Sequence, residues 1–92
     1  MRKIDKILMY LLRTIFSEYS FRGTEFFVKE PRNLNDKLQR LESSLRNSCK
    51  SLDIIQSESP DGFLTLFIFC DDESAKVIIE RTVIPNPFRR FK

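Results

Sequence analysis

The sequence predicts a two-layer α+β domain, and three observations predict it. The apolar octapeptide Phe63-Leu64-Thr65-Leu66-Phe67-Ile68-Phe69-Cys70 has the aromatic and branched make-up of a strand. Two other stretches, beginning near Ile4 and Leu34, repeat their apolar residues at helical spacing. At 92 residues the chain has room for one modest core, which favours a small two-layer arrangement over several domains.

The first helix is expected from Ile4 to Phe16. Ile4, Leu8, Leu11, Leu12, Ile15 and Tyr19 share one side, and Ile7, Met9 and Phe16 widen it. That sector is wider than docking on one layer requires, so the helix is expected to cover a sheet face and to have surface left for a second contact, such as a homodimer. Arg13 interrupts the apolar run, and no small-residue cleavage site follows. Neither a transmembrane span nor a secretory signal is therefore expected.

Ser20 to Gly23 has the composition of a connection, and Thr24 to Glu30 that of a strand centred on Phe26, Phe27 and Val28. Pro31, which cannot donate to a ladder, ends it. From Leu34 the period changes: Leu34, Leu38, Leu41, Leu45 and Cys49 form one narrow stripe, as on a helix packed by one side. Asn33 or Asn35 is placed to cap this helix, with Asp36/Arg40 and Glu42/Arg46 as i,i+4 pairs on its wet side. The stripe is too short for a coiled-coil seam, so packing on a sheet is expected.

Leu52 to Ser57 is expected as a short strand, and Ser59-Pro60-Asp61-Gly62 as the turn into the octapeptide, which takes the centre of the sheet. Alternation puts Leu64, Leu66, Ile68 and Cys70 on one face and Phe63, Thr65, Phe67 and Phe69 on the other. Both faces need covering. Asp71 or Asp72 is expected to cap a last helix in which Ala75, Ile78, Ile79 and Thr82 share a side, with Thr82 to Ile84 as an edge strand before Pro85 and Pro87. From the first strand onward this is the β-α-β-β-α-β order of a ferredoxin-like fold, with its helices on one face. The N-terminal helix is the expected cover for the other. One domain results: the helix in residues 1–20, a ferredoxin-like body in 24–84 and a basic-aromatic tail in 85–92.

The chemistry available to this chain is narrow. It has no histidine, hence neither the commonest general base nor the commonest metal ligand, and no enzymatic function or cofactor is expected. Cys49 and Cys70 each fall on an apolar stripe and are expected as buried reduced thiols in a cytoplasmic protein. Asp71-Asp72-Glu73 could hold a hard cation, but acidic residues at a helix N-terminus explain the cluster without one.

The net charge of +3 is unevenly spread. Residues 1–22 and 88–92 each carry +3 and the body between them −3, so the broad basic surface of a nucleic-acid binder is missing. Gly62-Phe63 with the Phe67/Phe69 face resembles the stacking platform of RNA-recognition modules, whose aromatics lie on neighbouring strands. Asp61 stands where that pattern wants a basic residue, and Leu64 and Thr65 replace its small and aromatic positions. These phenylalanines are accordingly expected in a core beneath the first helix.

The tail Pro87-Phe88-Arg89-Arg90-Phe91-Lys92 interleaves aromatics with cations and fits docking on a partner. The function expected is that of a small protein-binding domain, an adaptor, inhibitor or assembly subunit. Its candidate binding residues are Phe88, Arg89, Arg90, Phe91 and Lys92 of the tail with Arg2, Lys3 and Lys6 of the helix. The alternative is a nucleic-acid-binding module using its basic termini.

Overall fold

A computed structural model describes residues 1–29 and 31–81. Along the chain lie α1 (Lys3–Phe16), β1 (Ser20–Arg22), β2 (Glu25–Lys29), α2 (Leu34–Ser48), β3 (Leu52–Glu58), β4 (Phe63–Cys70) and β5 (Glu73–Glu80). The strands form one sheet in the order β1-β2-β5-β4-β3. Among the described strands only the β2–β5 pair is parallel. The fold is thus mixed α+β with two helices and five strands among the described residues, and the ferredoxin-like order does not describe it.

The difference arises at β5. The segment expected as a last helix is an eight-residue strand and the middle one of the sheet, so β4 lies one place off centre. Ala75, Val77 and Ile79 point to the buried side while Ser74, Lys76, Ile78 and Glu80 point away, a period of two that the helical grouping of Ile78 with Ile79 obscures. Cys70 pairs with Glu73, so only Asp71 and Asp72 make the turn, and Asp71 takes the left-handed φ of +57° that a two-residue hairpin asks of its first loop residue. Once β4 turns back this tightly, its free edge is the nearest partner for the residues that follow. Ladder bonds with β4 on one side and β2 on the other outweigh a marginal helical pattern.

A further strand, β1, precedes β2. Ser20–Arg22, expected as connection, pairs with Glu25–Lys29 across a turn at Gly23, whose φ of +65° favours glycine. Phe21 stacks on Phe26 at 4.4 Å between centroids, and Tyr19 tilts against the same ring at 5.9 Å.

Both helices lie on one side of the sheet. Ile4, Leu8 and Leu12 of α1 and Leu41 and Leu45 of α2 are buried in one core with Phe26, Val28, Leu64, Leu66, Ile68, Val77 and Ile79. Most of the wide apolar sector of α1 is covered by α2 and β5 together, not by the opposite sheet face, while Ile7 and Met9 stay half-buried. Ser17, at φ +71°, ends α1. Asn33 occupies the N-cap position of α2 in a left-handed conformation and makes no side-chain cap; Glu42 and Arg46 form the expected pair at 2.9 Å.

Cys49 and Cys70 are joined in a disulfide, not reduced, with Cα atoms 5.5 Å apart. The bond ties the end of α2 to the end of β4. The turn before β4 follows its predicted chemistry: Ser59 N–H donates to Phe63 O at 2.9 Å, Gly62 N–H donates to Ser59 O at 3.2 Å, and Gly62 takes φ +92°. The expected edge strand at Thr82 to Ile84 and the tail lie outside the described residues.

Candidate interaction surface

With both helices on one side, the other face of the sheet has no second layer among the described residues. Register fixes what it carries. One transverse row runs Ile55, Phe67, Lys76, Glu25, Arg22; the next runs Ser57, Thr65, Ile78, Phe27, Ser20. Phe69 beside Ser74 and Phe63 beside Glu80 flank them. Ile55 is 51% exposed, Phe69 42% and Phe63 36%, while Phe27, Phe67 and Ile78 are half-buried. Phe67 and Phe69 are therefore surface aromatics, not the core expected beneath α1.

Two rings on this face are partly screened by cations. The Lys76 ammonium lies 5.4 Å from the Phe67 centroid, and the Arg22 guanidinium 5.8 Å from that of Phe27. Lys76 also pairs with Glu25 at 3.1 Å. At one end of the face a shallow cleft is lined by Arg2, Thr24, Phe67, Phe69, Ser74 and Lys76.

The basic residues expected to bind a partner are separated by the fold. Arg2 borders that cleft but is held by Asp5 through two contacts of 3.0 Å, and this charge-assisted bonding raises its pKa further above the usual guanidinium value. Lys3 pairs with Asp71 at 3.6 Å. Lys6 lines a different depression, beside Tyr10, between α1 and α2. Phe88, Arg89, Arg90, Phe91 and Lys92 lie outside the described residues.

The acidic run serves the backbone. Asp71 accepts from the N–H groups of Lys50 and Ser51 at 2.9 and 3.0 Å, and Glu73 accepts from Ile4 N–H at 3.0 Å, capping α1 from the sheet. The Ser51 and Lys50 amides, with help from Lys3, hold the Asp71 carboxyl below the usual carboxylate range. The cluster begins no helix; Asp71 and Glu73 are the two of its members that backbone amides engage. No group of three or more acidic or cysteine side chains that could hold a metal ion occurs among the described residues. No helix among them is long and apolar enough to cross a membrane.

No family model matches the chain, and none of the curated proteins or solved structures matches it either.

The open face was only half legible in sequence. Alternation along residues 63–70 gave its aromatic row, but the contribution of Ile55, Ile78 and Phe27 depends on β3 and β5 flanking β4 and on β2 lying beyond β5. The sequence signal for β5 was weak: Ala75, Val77 and Ile79 recur at a spacing of two, but Ile78 between them breaks the alternation.

Proposed function

We propose that this chain is a non-enzymatic protein-binding domain whose principal contact surface is the open sheet face around Phe67 and Phe69. The observation that carries it is the exposure of Phe69 and Ile55 beside half-buried Phe67 on a face that neither helix covers. Contiguous apolar surface rimmed by charged residues is what a protein interface requires, and aromatic anchors dominate the energy of such contacts. The tail, in which Phe88 and Phe91 bracket Arg89 and Arg90, has chemistry suited to extend the contact. The α1 stripe is not available for binding, because its leucines are committed to the core. An adaptor, inhibitor or assembly subunit is the role such a surface fits.

A second reading, a nucleic-acid-binding module, draws support from the same aromatics, since rings on an open sheet can stack on bases. Against it stands the charge of the face, where Arg22, Lys29 and Lys76 are balanced by Glu25, Asp53 and Glu80. The test is retention on the immobilised protein at about 50 and about 200 mM salt, the range over which phosphate contacts weaken steeply. A protein partner should be retained at both and lost with Phe67→Ser/Phe69→Ser. Retention of RNA or DNA that collapses at the higher salt and depends on Arg89 and Arg90 would establish the second reading instead.

A further inference from the structure

We infer that the outer surface of the two helices is a second binding site, and that its ligand is a single strand of nucleic acid. The inference goes beyond the protein-binding proposal, because it concerns the layer opposite the open sheet face.

Charge is the first support, and the fold sorts it by layer. The helices with their flanking residues, 2–18 and 32–50, hold nine Lys and Arg against four Asp and Glu. The strands and turns in 19–29 and 51–81 hold four against eight. A net of +5 on one layer thus stands against −4 on the other, a separation that summing along the chain conceals. The exposed residues of α1 are Lys3, Lys6, Tyr10, Arg13 and Thr14, none of them acidic, while Asp5 is buried and held by Arg2. Among the described residues no carboxylate pairs with Lys6, Arg13 or Lys37. Unpaired cations gathered on one surface attract a polyanion, whose condensed counterions are released on contact.

The shape and chemistry of the surface name the polyanion. The Lys37 ammonium lies 5.7 Å from the Phe16 centroid, so α2 starts beside the end of α1 and the two helices run antiparallel. Lys37 therefore joins Arg13 at one end, and at the other Lys6, Ile7, Tyr10 and Leu11 form a depression with Ser44, Asn47 and Ser48. Lys6 and Arg13 stand about 10 Å apart along the helix axis, with Tyr10 between them. Ile7 and Leu11 make an apolar floor, the 60% exposed Tyr10 ring stands beside it, and the α2 side chains supply neutral hydrogen-bonding groups. A nucleotide asks for this mixture: a ring to stack on its base, polar groups for its edges and sugar, and cations for its phosphates. A bilayer takes up apolar side chains that stand out beyond the charged ones, whereas Ile7 and Leu11 lie at the bottom of the depression. An acidic peptide would use the cations but not the ring, and a duplex keeps its bases stacked on one another, out of reach of Tyr10.

The experiment is fluorescence anisotropy of a labelled oligothymidylate of about 20 nucleotides, titrated with the full chain at about 50 and about 200 mM salt. Phosphate contacts from Lys6, Arg13 and Lys37 should make the affinity fall about 20-fold across that range, and Lys6→Gln/Arg13→Gln should cut the fall to about threefold. Tyr10→Ala should weaken binding about tenfold at both salts without changing the salt dependence, and Tyr10→Phe should restore it. Lys6, Tyr10 and Arg13 are all exposed, so circular dichroism should show these variants folded. Absence of binding overturns the inference, as does binding indifferent to Lys6→Gln/Arg13→Gln. Binding lost only with Arg89→Gln/Arg90→Gln also overturns it, because the tail would then be the contact. Equal binding of an oligoglutamate, indifferent to Tyr10→Ala, would make the ligand an acidic protein segment instead, and binding to phosphatidylserine vesicles without the oligonucleotide would make it a membrane surface. None of these failures touches the protein-binding proposal. Phe67→Ser/Phe69→Ser should bind the strand as wild type does; a loss there would put the strand on the open face and count against both.

Discussion

Breaking the Cys49–Cys70 disulfide should lower stability without unfolding the protein. The bond closes a ring over a sequence separation of 21, which in the chain-entropy account stabilises the folded state by about 3 kcal/mol, because the unfolded chain loses the conformations in which these residues are apart. For a domain of this size each kcal/mol moves the thermal midpoint by about 4 to 8 °C, so the shift expected is about 15 °C. The fold should survive because the same corner is held in other ways. Asp71 accepts from the Lys50 and Ser51 amides, Asp71 N–H donates to Ser51 O at 2.8 Å, and both cysteines are buried among the core residues. The assay is thermal unfolding by circular dichroism with and without reductant, alongside Cys49→Ala/Cys70→Ala, which should match the reduced protein. Cys70 is 1% exposed, so reduction of the native state should be slow. A midpoint that ignores reductant, together with two thiols titrating in unreduced, denatured protein, would show that these cysteines remain free and refute the reasoning.

Three further outcomes are expected. Leu8→Ala or Leu12→Ala should cost about 2 to 5 kcal/mol in urea unfolding, because each side chain is fully buried between α2 and the sheet; Tyr10→Ala, on the outer side of the same helix, should cost well under half of that. The Asp71 carboxyl is held below its usual value in the folded state, so its contribution is complete above about pH 4, the unfolded value, and is lost as pH falls through the lower folded value. Asp71→Asn should then be less stable than wild type at neutral pH and show a shallower acid limb; parallel acid limbs would contradict this assignment. Adding Mg²⁺ or Mn²⁺ should leave the thermal midpoint unchanged, since Asp71 and Glu73 are engaged by backbone amides, and a saturable rise would reveal a cation site by mass action.

Several features follow from local chemistry and were legible in the sequence. The helices and β4 have strong periods, and a stripe of four or more apolar residues at one spacing admits few alternatives. The turn at Ser59 to Gly62 is likewise local, since Pro60 and Gly62 carry the required dihedral preferences in themselves. The candidate site was harder. The aromatic row of β4 was visible, but not whether it faced core or solvent, and the basic residues grouped by their place in sequence are dispersed by the fold, Arg2 to the edge of the sheet and Lys6 to the helical side.

By itself, then, the sequence determined one small α+β core, the two amphipathic helices, the identity of the most apolar strand and the absence of any histidine-based chemistry. Tertiary structure decided the rest, and each case has the same cause. Ala75 to Ile79 could satisfy a helix or a strand; the open edges of β2 and β4 settled it by supplying ladder partners on both sides. Cys49 and Cys70, far apart in sequence, became neighbours only when α2 ended against the last residue of β4. The apolar sector of α1 specified that it be covered but not by what, because hydrophobic burial is non-directional. Only the packing of α1 against both α2 and β5 placed the two helices on one side and left Phe67, Phe69 and Ile55 facing outward on the other.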